Sequence, residues 1–586
     1  MNKNNLDLEI LKSHLKPFEK NGKFELDSKI KNYHEISLKL CQFLEDIILR
    51  DKEKYDIYDK IFIHLLDSDE IDLASGLRYY SNFYLQRRIE KILKKTIIKK
   101  NTKEKYFKRE FLNLIKINNS ISINREKIIN TDNIFKPNIL YDSHIVNFLN
   151  SASIQKILSK IIIADPVNEK FFTEIRKIIL KDTIKNNKKN NNHIIESFCS
   201  RLSSNCFFNE YSWFESDEET SDLDLLEKRI RSNFKKNKKL SVNEIFILAS
   251  YRPLITFKDM KKYFMRINHQ IIKDQLLDYE LEEKLSKEIK TLSPIKNQIS
   301  INVQNQYEEY PYPKWNLNKK KRNKIKYYDY IDRVTSNKII PKNIKKILVA
   351  GCGTGRHPIN IAINDPSVDI VAVDLSKKSL SYAYRKSKEL KLKNIRWIHG
   401  DILDLISLNE KFDVVESVGV LHHMEDPKKG FNILSKILKS KGFLYLGLYS
   451  KNFRSTLKKA KNIIAEKNYS KNLKSIQKAR RVISKHTDNH IKYSVIGSSD
   501  FYSTSSFIDL LMHEQELDFE INDIVNLYKK DFNFLGFSIP KLKKNQFNKA
   551  LKKISTTDDE IENWKKIERV DNSLFSNMYQ FWLQKK

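Results

Sequence analysis

Two hydrophobic patterns follow one another along this chain. In the first half, apolar residues recur three or four positions apart. Met260, Phe264, Ile267 and Ile271 form one stripe with Asp259 near its start, and Tyr58, Ile61 and Leu65 form another. That spacing gathers side chains on one face of a helix. Asp222 is placed to cap a helix carrying Leu225, Leu226 and Ile230. Breaks are expected around residues 185–192, a Lys/Asn tract, and around 215–221.

From residue 345 the pattern changes. Residues 347–350 form a short apolar run that ends in Gly351, as a buried parallel strand would. Further runs cover 369–373, ending at Asp374; 395–398, ending at Gly400 and Asp401; 412–417; and 443–448. Between them lie helical stripes. Ser376 is placed to cap one that carries Leu380, Ala383, Tyr384 and Ser387. Asp426 and Pro427 open another with Phe431, Leu434 and Leu438 inside, and Gly442 lies just past it. This succession predicts an α/β, doubly wound parallel sheet. Glycine agrees: of twelve, only Gly22 and Gly76 precede residue 350. Helices disfavour glycine, whereas strand-to-helix turns need it, so the first half is predicted all-helical. No repeat of fixed period occurs, and a helical solenoid is not predicted.

Composition narrows the class. The chain has 586 residues, 40% of them hydrophobic and 31% charged, enough for at least one large core. Four cysteines in that length exclude a disulfide scaffold and point to a reducing, cytoplasmic setting. No apolar run is long enough to span a bilayer, and the first residues carry no signal-peptide core, so no membrane role is expected. Lys and Arg total 108 against 74 Asp and Glu, a net charge of +34. The excess is spread along the chain, with runs at 94–100, 235–239 and 319–326, and reads as solvated faces before it reads as a nucleic-acid surface.

The chemistry gathers at three strand ends, where ligands of such sheets bind. The first is Gly351-Cys352-Gly353-Thr354-Gly355. A dinucleotide fingerprint would place its third glycine at 356, which is Arg356, so the spacing suits an adenosyl ligand without a pyrophosphate. The second is Asp374, placed to accept both ribose hydroxyls. The third is Asp401, placed to accept from an adenine amino group, with Ile402 against the ring.

With these blocks in view, ILVAGCGTGRH, VAVDLS, WIHGDILDL and FDVVESVGVLHHMEDP, the chain resembles the class I S-adenosylmethionine-dependent methyltransferases. The resemblance implies a Rossmann-like, seven-stranded sheet and S-adenosyl-L-methionine as cofactor, bound by Gly351, Gly353, Gly355, Asp374, Asp401 and Ile402. One departure is Val349, where the family often has an acidic residue that serves the cofactor's methionine amino group. QYEEYPYPKW (306–315), CFFNEYSWFESDEE (206–219), DFYSTSSFIDLLMHEQE (500–516) and NMYQFWLQK (577–585) look like segments of bacterial methyltransferases fused to helical or tetratricopeptide-type regions. That likeness implies a last antiparallel strand at the sheet edge, beside residues 532–537. The organisation expected is a helical domain over 1–295, a linker and cofactor-lid segment over 296–344, and a methyltransferase domain over 345–586 with an insertion at 449–531.

The acceptor is less legible. His422 and His423 follow strand four, where a histidine could take a proton near neutral pH. Tyr307, Tyr310 and Tyr312 precede strand one and could fold over the cofactor. His513 and Glu516, three apart on a predicted helix, could bind a polar acceptor. Catalytic candidates are thus His422, His513 and Tyr312. A His–Glu pair alone does not make a metal site, and no metal is expected. Cys199 and Cys206 lack zinc-site spacing and are expected to be buried. Strand four has no Asn-Pro-Pro-Tyr type ending, and there is no Pro-Cys pair for attack on a pyrimidine. The insertion's basic stretch, 456–485, carries Leu457, Ala460 and Ile464 on one face and reads as a solvated surface helix. The leading function is methyl transfer to an unidentified acceptor. The alternatives are an RNA-binding modification protein using the basic surface and a non-catalytic cofactor-binding scaffold whose helical part docks a protein partner.

Overall fold

A computed structural model describes residues 152–159, 161–185, 193–315, 326–334, 343–540, 543–575 and 578–586, with a few isolated positions before 151. The stripe Tyr58, Ile61, Leu65 lies outside the described residues. The chain divides into two compact units, one of residues 1–161 and 192–198, the other of 162–191 and 199–586. All that follows concerns the second.

Its helical part contains α1 (Asp217–Lys235) and α2 (Asp278–Glu288). Ser216 caps α1 by accepting from Glu219 N–H, and Glu219 bonds back to Ser216. This capping box starts the helix six residues before Asp222, which lies inside it; the expected break at 215–221 therefore closes at 216. The stripe from Met260 to Ile271 is not one helix either. It forms short helices at Lys261–Phe264 and Gln270–Ile272, split where His269 turns its ring back to accept from Ile271 N–H.

The sheet is assembled from β1 (Lys290–Thr291), α3 (Gln298–Glu309), α4 (Tyr327–Val334), β2 (Lys346–Ala350), α5 (Arg356–Asn364), β3 (Asp369–Asp374), α6 (Lys377–Glu389), β4 (Ile395–His399), β5 (Phe412–Val418), α7 (Pro427–Ile437) and β6 (Leu438–Tyr449). The insertion supplies α8 (Lys458–Glu466), α9 (Leu473–Ser484) and α10 (Thr504–Leu511), and β7 (Phe532–Phe537) and β8 (Met578–Lys585) finish the fold. Strand order is β1-β4-β3-β2-β5-β6-β8-β7, parallel from β1 to β6, with β8 antiparallel to both neighbours. Five strands, β2 to β6, are those the pattern predicts, and β7 and β8 are those the likeness implies. The eighth, β1, is a two-residue contribution from the helical part.

Alternation along the strands explains the two layers. Leu348, Ala350, Val371 and Val373 enter one core, and Ile347, Val349, Ile370 and Ala372 the other. β8 is not the edge strand that the likeness implied. Tyr579, Phe581 and Leu583 enter the first core and Trp582 the second, so both faces are covered and β8 sits between β6 and β7. An edge strand has only one neighbour, and here that is β7.

The basic stretch 456–485 is not a solvated surface helix but two helices, α8 and α9, each with a buried face. Ile476, Gln477, Ala479, Arg480 and Ile483 of α9 are buried. Arg480 Nε donates to Phe501 O (2.7 Å), its Nη1 to Ser212 O and its Nη2 to Glu169 (2.8 Å). Gln477 donates to Tyr211 O (2.8 Å), and Thr504 Oγ1 to Glu210 O (2.9 Å). The turn after residue 208 is therefore clasped by the insertion through buried hydrogen bonds, which satisfies carbonyls that would otherwise be stranded. Cys199, Cys206 and Cys352 are buried thiols outside any disulfide. Among the described residues, no helix is long and apolar enough to cross a membrane.

Candidate active site

The turn after β2 is fixed first by its own backbone. Gly351 and Cys352 N–H both donate to Val373 O, at 2.8 and 3.0 Å. Gly353 has φ +51, and a Cβ there would lie 2.8 Å from Tyr312 O, so only glycine lets residues 310–315 lie against the turn. Thr354 Oγ1 donates to Pro313 O, and Trp315 Nε1 donates to Thr354 O (3.0 Å). Gly355 serves packing instead. Its missing Cβ would meet Ala383 Cβ at 2.4 Å, and it does not line the cavity.

A cavity of about 670 Å³ opens at these strand ends. At one end stand Asp374, Asp401 and Ile402. Asp374 accepts from Gly353 N–H (2.7 Å) and Ser376 N–H (2.9 Å); burial pushes its pKa up to about 6 against the pull of those N–H bonds. Asp401 accepts from Leu403 N–H (3.0 Å) and is buried. Each carboxylate thus braces its loop and also borders the cavity. Every oxygen has two lone pairs, so both functions are compatible.

The other end is built by distant segments. Tyr307 and Tyr312 come from α3 and the turn after it, Tyr449 ends β6 and Arg454 follows it, and Asp500 and Asp509 come from the insertion. Tyr307 OH donates to Asp509 (2.8 Å) and also meets His513 Nε2 (3.0 Å). Gln515 N–H donates to His513 Nδ1 (3.1 Å), so in the neutral ring Nε2 carries the proton and points at Tyr307. His423, Asp509 and His513 have ligand atoms within 4.8 Å of one another, but this pattern uses His513 Nε2 as a donor, not as a metal ligand.

His423 has the opposite tautomer. Its Nδ1 donates to Gln515 O (2.7 Å), and burial pushes its pKa down to about 4, so Nε2 is an unprotonated nitrogen on a residue that lines the cavity. Its ring stacks on His513 at 3.7 Å. His422 accepts from Tyr449 N–H (3.3 Å), stacks on the Tyr449 ring and lies outside the lining. Asp509 is pushed up to about 7, first by burial and then by Asp500 and Glu516. Glu516 does not pair with His513. It ion-pairs with Arg454 and Lys461, and both 513 and 516 lie beyond the end of α10 rather than on a helix.

A family described as "Methyltransferase domain" matches residues 341–495. The C-terminal part of this chain is a class I S-adenosylmethionine-dependent methyltransferase domain. A Synechococcus sp. protein is 27% identical over 205 residues, covering 33% of this chain and 48% of that protein. A Rickettsia prowazekii protein is 30% identical over 142 residues, covering 24% of this chain and 56% of that protein. Both relatives are described as uncharacterized proteins, and the chain spans about half of their length. Among solved structures, that of PKMT2 from Rickettsia typhi has a TM-score of 0.36 at 19% identity, covering 44% of this chain and 52% of that one.

The methyltransferase domain's cofactor fits these residues chemically. The bare glycine turn permits close approach, and the buried Asp374 and Asp401 border a void at successive strand ends. Of the residues singled out by sequence, Gly351, Gly353, Asp374, Asp401, Ile402 and Tyr312 line that void, whereas Gly355, His422 and His513 do not. Asp500, Asp509, Tyr449 and Arg454 were missed. Asp509 had a signal: it is a lone carboxylate within the apolar run FIDLLM, and all eight residues of α10 are buried.

Proposed function

We propose that the chain transfers a methyl group from S-adenosylmethionine to an amine. Gly351, Gly353, Asp374, Asp401 and Ile402 would hold the adenosyl portion. When bound, the cofactor supplies the electrophile, a methyl group on positive sulfur.

The observation that carries the acceptor assignment is that two carboxyls, Asp500 and Asp509, line the same cavity as three tyrosines, Tyr307, Tyr312 and Tyr449, and that Asp500 acts on Asp509 electrostatically. The part of the Asp509 shift that comes from the neighbouring carboxyls Asp500 and Glu516 reflects negative potential, which favours a cation. The three phenols are pushed well above their ordinary value by burial, so they stay neutral and add no charge of their own to that wall. Arg454 does not spoil this, because Glu516 pairs with it.

Asp509 would bind the acceptor as an ammonium and take its proton, since a group titrating near neutral pH is well matched to that work. His423 Nε2 would accept a second N–H and orient the lone pair. Residues 310–315, pinned on the glycine turn, exclude water from the reacting end.

The test is radiolabelled methyl transfer into fractionated lysate, followed by mild base. Label that survives base in amine-bearing products is expected. Label released as a volatile ester product points to a carboxyl acceptor and overturns the amine reading. No transfer in any fraction overturns the methyl-transfer reading.

A further inference from the structure

The cavity wall contains a buried acid that the function so far leaves unused. Glu416 lies in the middle of β5, is 1% exposed, and lines the cavity. Its neighbours along the same face of that strand, Val414 and Val418, pack in an apolar core. A carboxylate there costs considerable desolvation unless it is matched by partners. Tyr327 OH donates to its Oε1, and His357 Nε2 meets its Oε2. Those two bonds leave each carboxylate oxygen a further lone pair.

Its register gives it meaning. β2 and β5 are parallel neighbours, and Glu416 is the direct partner of Val349. Val349 lines the same cavity, two residues before Gly351. The two side chains share one face of the sheet, so a carboxylate on either strand would serve the same corner. The strand that leads into the glycine turn brings no charge to it; the adjacent strand does.

A bound S-adenosylmethionine has a nucleoside end and an amino-acid end that bears an α-ammonium. With Asp374, Asp401 and Ile402 at the nucleoside end, the amino-acid end needs an anion elsewhere on the wall. We infer that Glu416 is the counter-charge for that α-ammonium, with Tyr327 and His357 as positioning residues that hold its carboxylate. This rests on the reading of the cavity as a cofactor site.

The test is calorimetry on the full chain with two ligands. S-adenosylhomocysteine has the ammonium; 5′-methylthioadenosine has the nucleoside thioether and no amino-acid end. Glu416→Gln should weaken S-adenosylhomocysteine about tenfold or more and leave methylthioadenosine within about twofold, which also reports that the variant is folded. Val349→Asp added to Glu416→Gln should recover part of the loss. Unchanged S-adenosylhomocysteine affinity in Glu416→Gln, or equal weakening of both ligands, overturns the assignment. Failure of both ligands to bind the unaltered chain is a different result: it overturns the cofactor reading itself, and this inference with it.

Discussion

The two ends of the cavity are made in different ways. The end proposed for the adenosyl portion is local: a glycine turn, two strand-end carboxylates and Ile402, all within residues 351–402 and braced by backbone N–H groups such as those of Gly353 and Ser376. The end proposed for the acceptor is assembled from α3, the end of β6 and the insertion, which are far apart in sequence and joined by side-chain bonds such as Tyr307 to Asp509. If the first end holds the cofactor and the second the acceptor, changes at the two ends should separate in their effects.

The sharpest way to break that separation is Asp509→Asn. Methyl transfer should fall ~10²–10⁴-fold, the scale of a lost general base, with S-adenosylhomocysteine affinity unchanged in calorimetry. A parallel loss of cofactor affinity would show that the ends are not independent. Next is Arg480→Ala, which strips the clasp between the insertion and residues 210–214. It also leaves Glu169, a half-buried carboxyl raised by desolvation and held by Arg480, without that partner. Denaturant melts should show a loss of about 3–5 kcal/mol, the range for breaking a buried ion pair. Asp374→Ala follows, with a loss of one charge-assisted hydrogen bond and ~10- to 100-fold weaker S-adenosylhomocysteine binding.

The smaller effects concern pH. If Asp509 must be ionised to take a proton, the transfer rate should rise with pH through about 7. Stability runs the other way. The folded pKa of Asp509 lies above its ordinary value of 3.8, so the fold favours its protonated form. That contribution is complete below 3.8 and is lost as pH rises through about 7. Asp509→Asn should therefore melt at a higher temperature than the unaltered chain at pH 8, with little difference at pH 4. Equal shifts at both pH values would show that Asp509 is not strained by its charge.

Much of the sheet was legible because its signals are short-range. Residues 347–350 and 369–373 are apolar runs closed by Gly351 and Asp374, and Ser376 and Asp426 act as the caps their positions predict. The helical part was less so. The stripe from Met260 to Ile271 has the right spacing for one helix, yet the chain turns at His269, since spacing reports which face is buried and not whether the backbone stays continuous. The reading of α9 as a surface helix failed for a related reason. Its lysines do face outward, but Gln477 and Arg480, polar by type, are buried because the 210–214 backbone offers them carbonyls. Composition does not distinguish a polar residue in water from one satisfied inside.

The acceptor end shows the same division. His422 and His423 are adjacent and chemically identical, and only the fold separates them: Tyr449 N–H occupies one ring, while Gln515 O leaves the other with a bare nitrogen at the cavity. By itself the sequence determined the α/β sheet, the glycine turn and the carboxylates at its strand ends, because each depends on residues within a few positions of one another. Tertiary structure alone decided which histidine meets the cavity, that β8 is an inner strand, and that Glu416 stands beside Val349. Those are relations between segments dozens to hundreds of residues apart, and they exist only once burial has made unpaired charges and hydrogen-bonding groups too costly to leave unmatched.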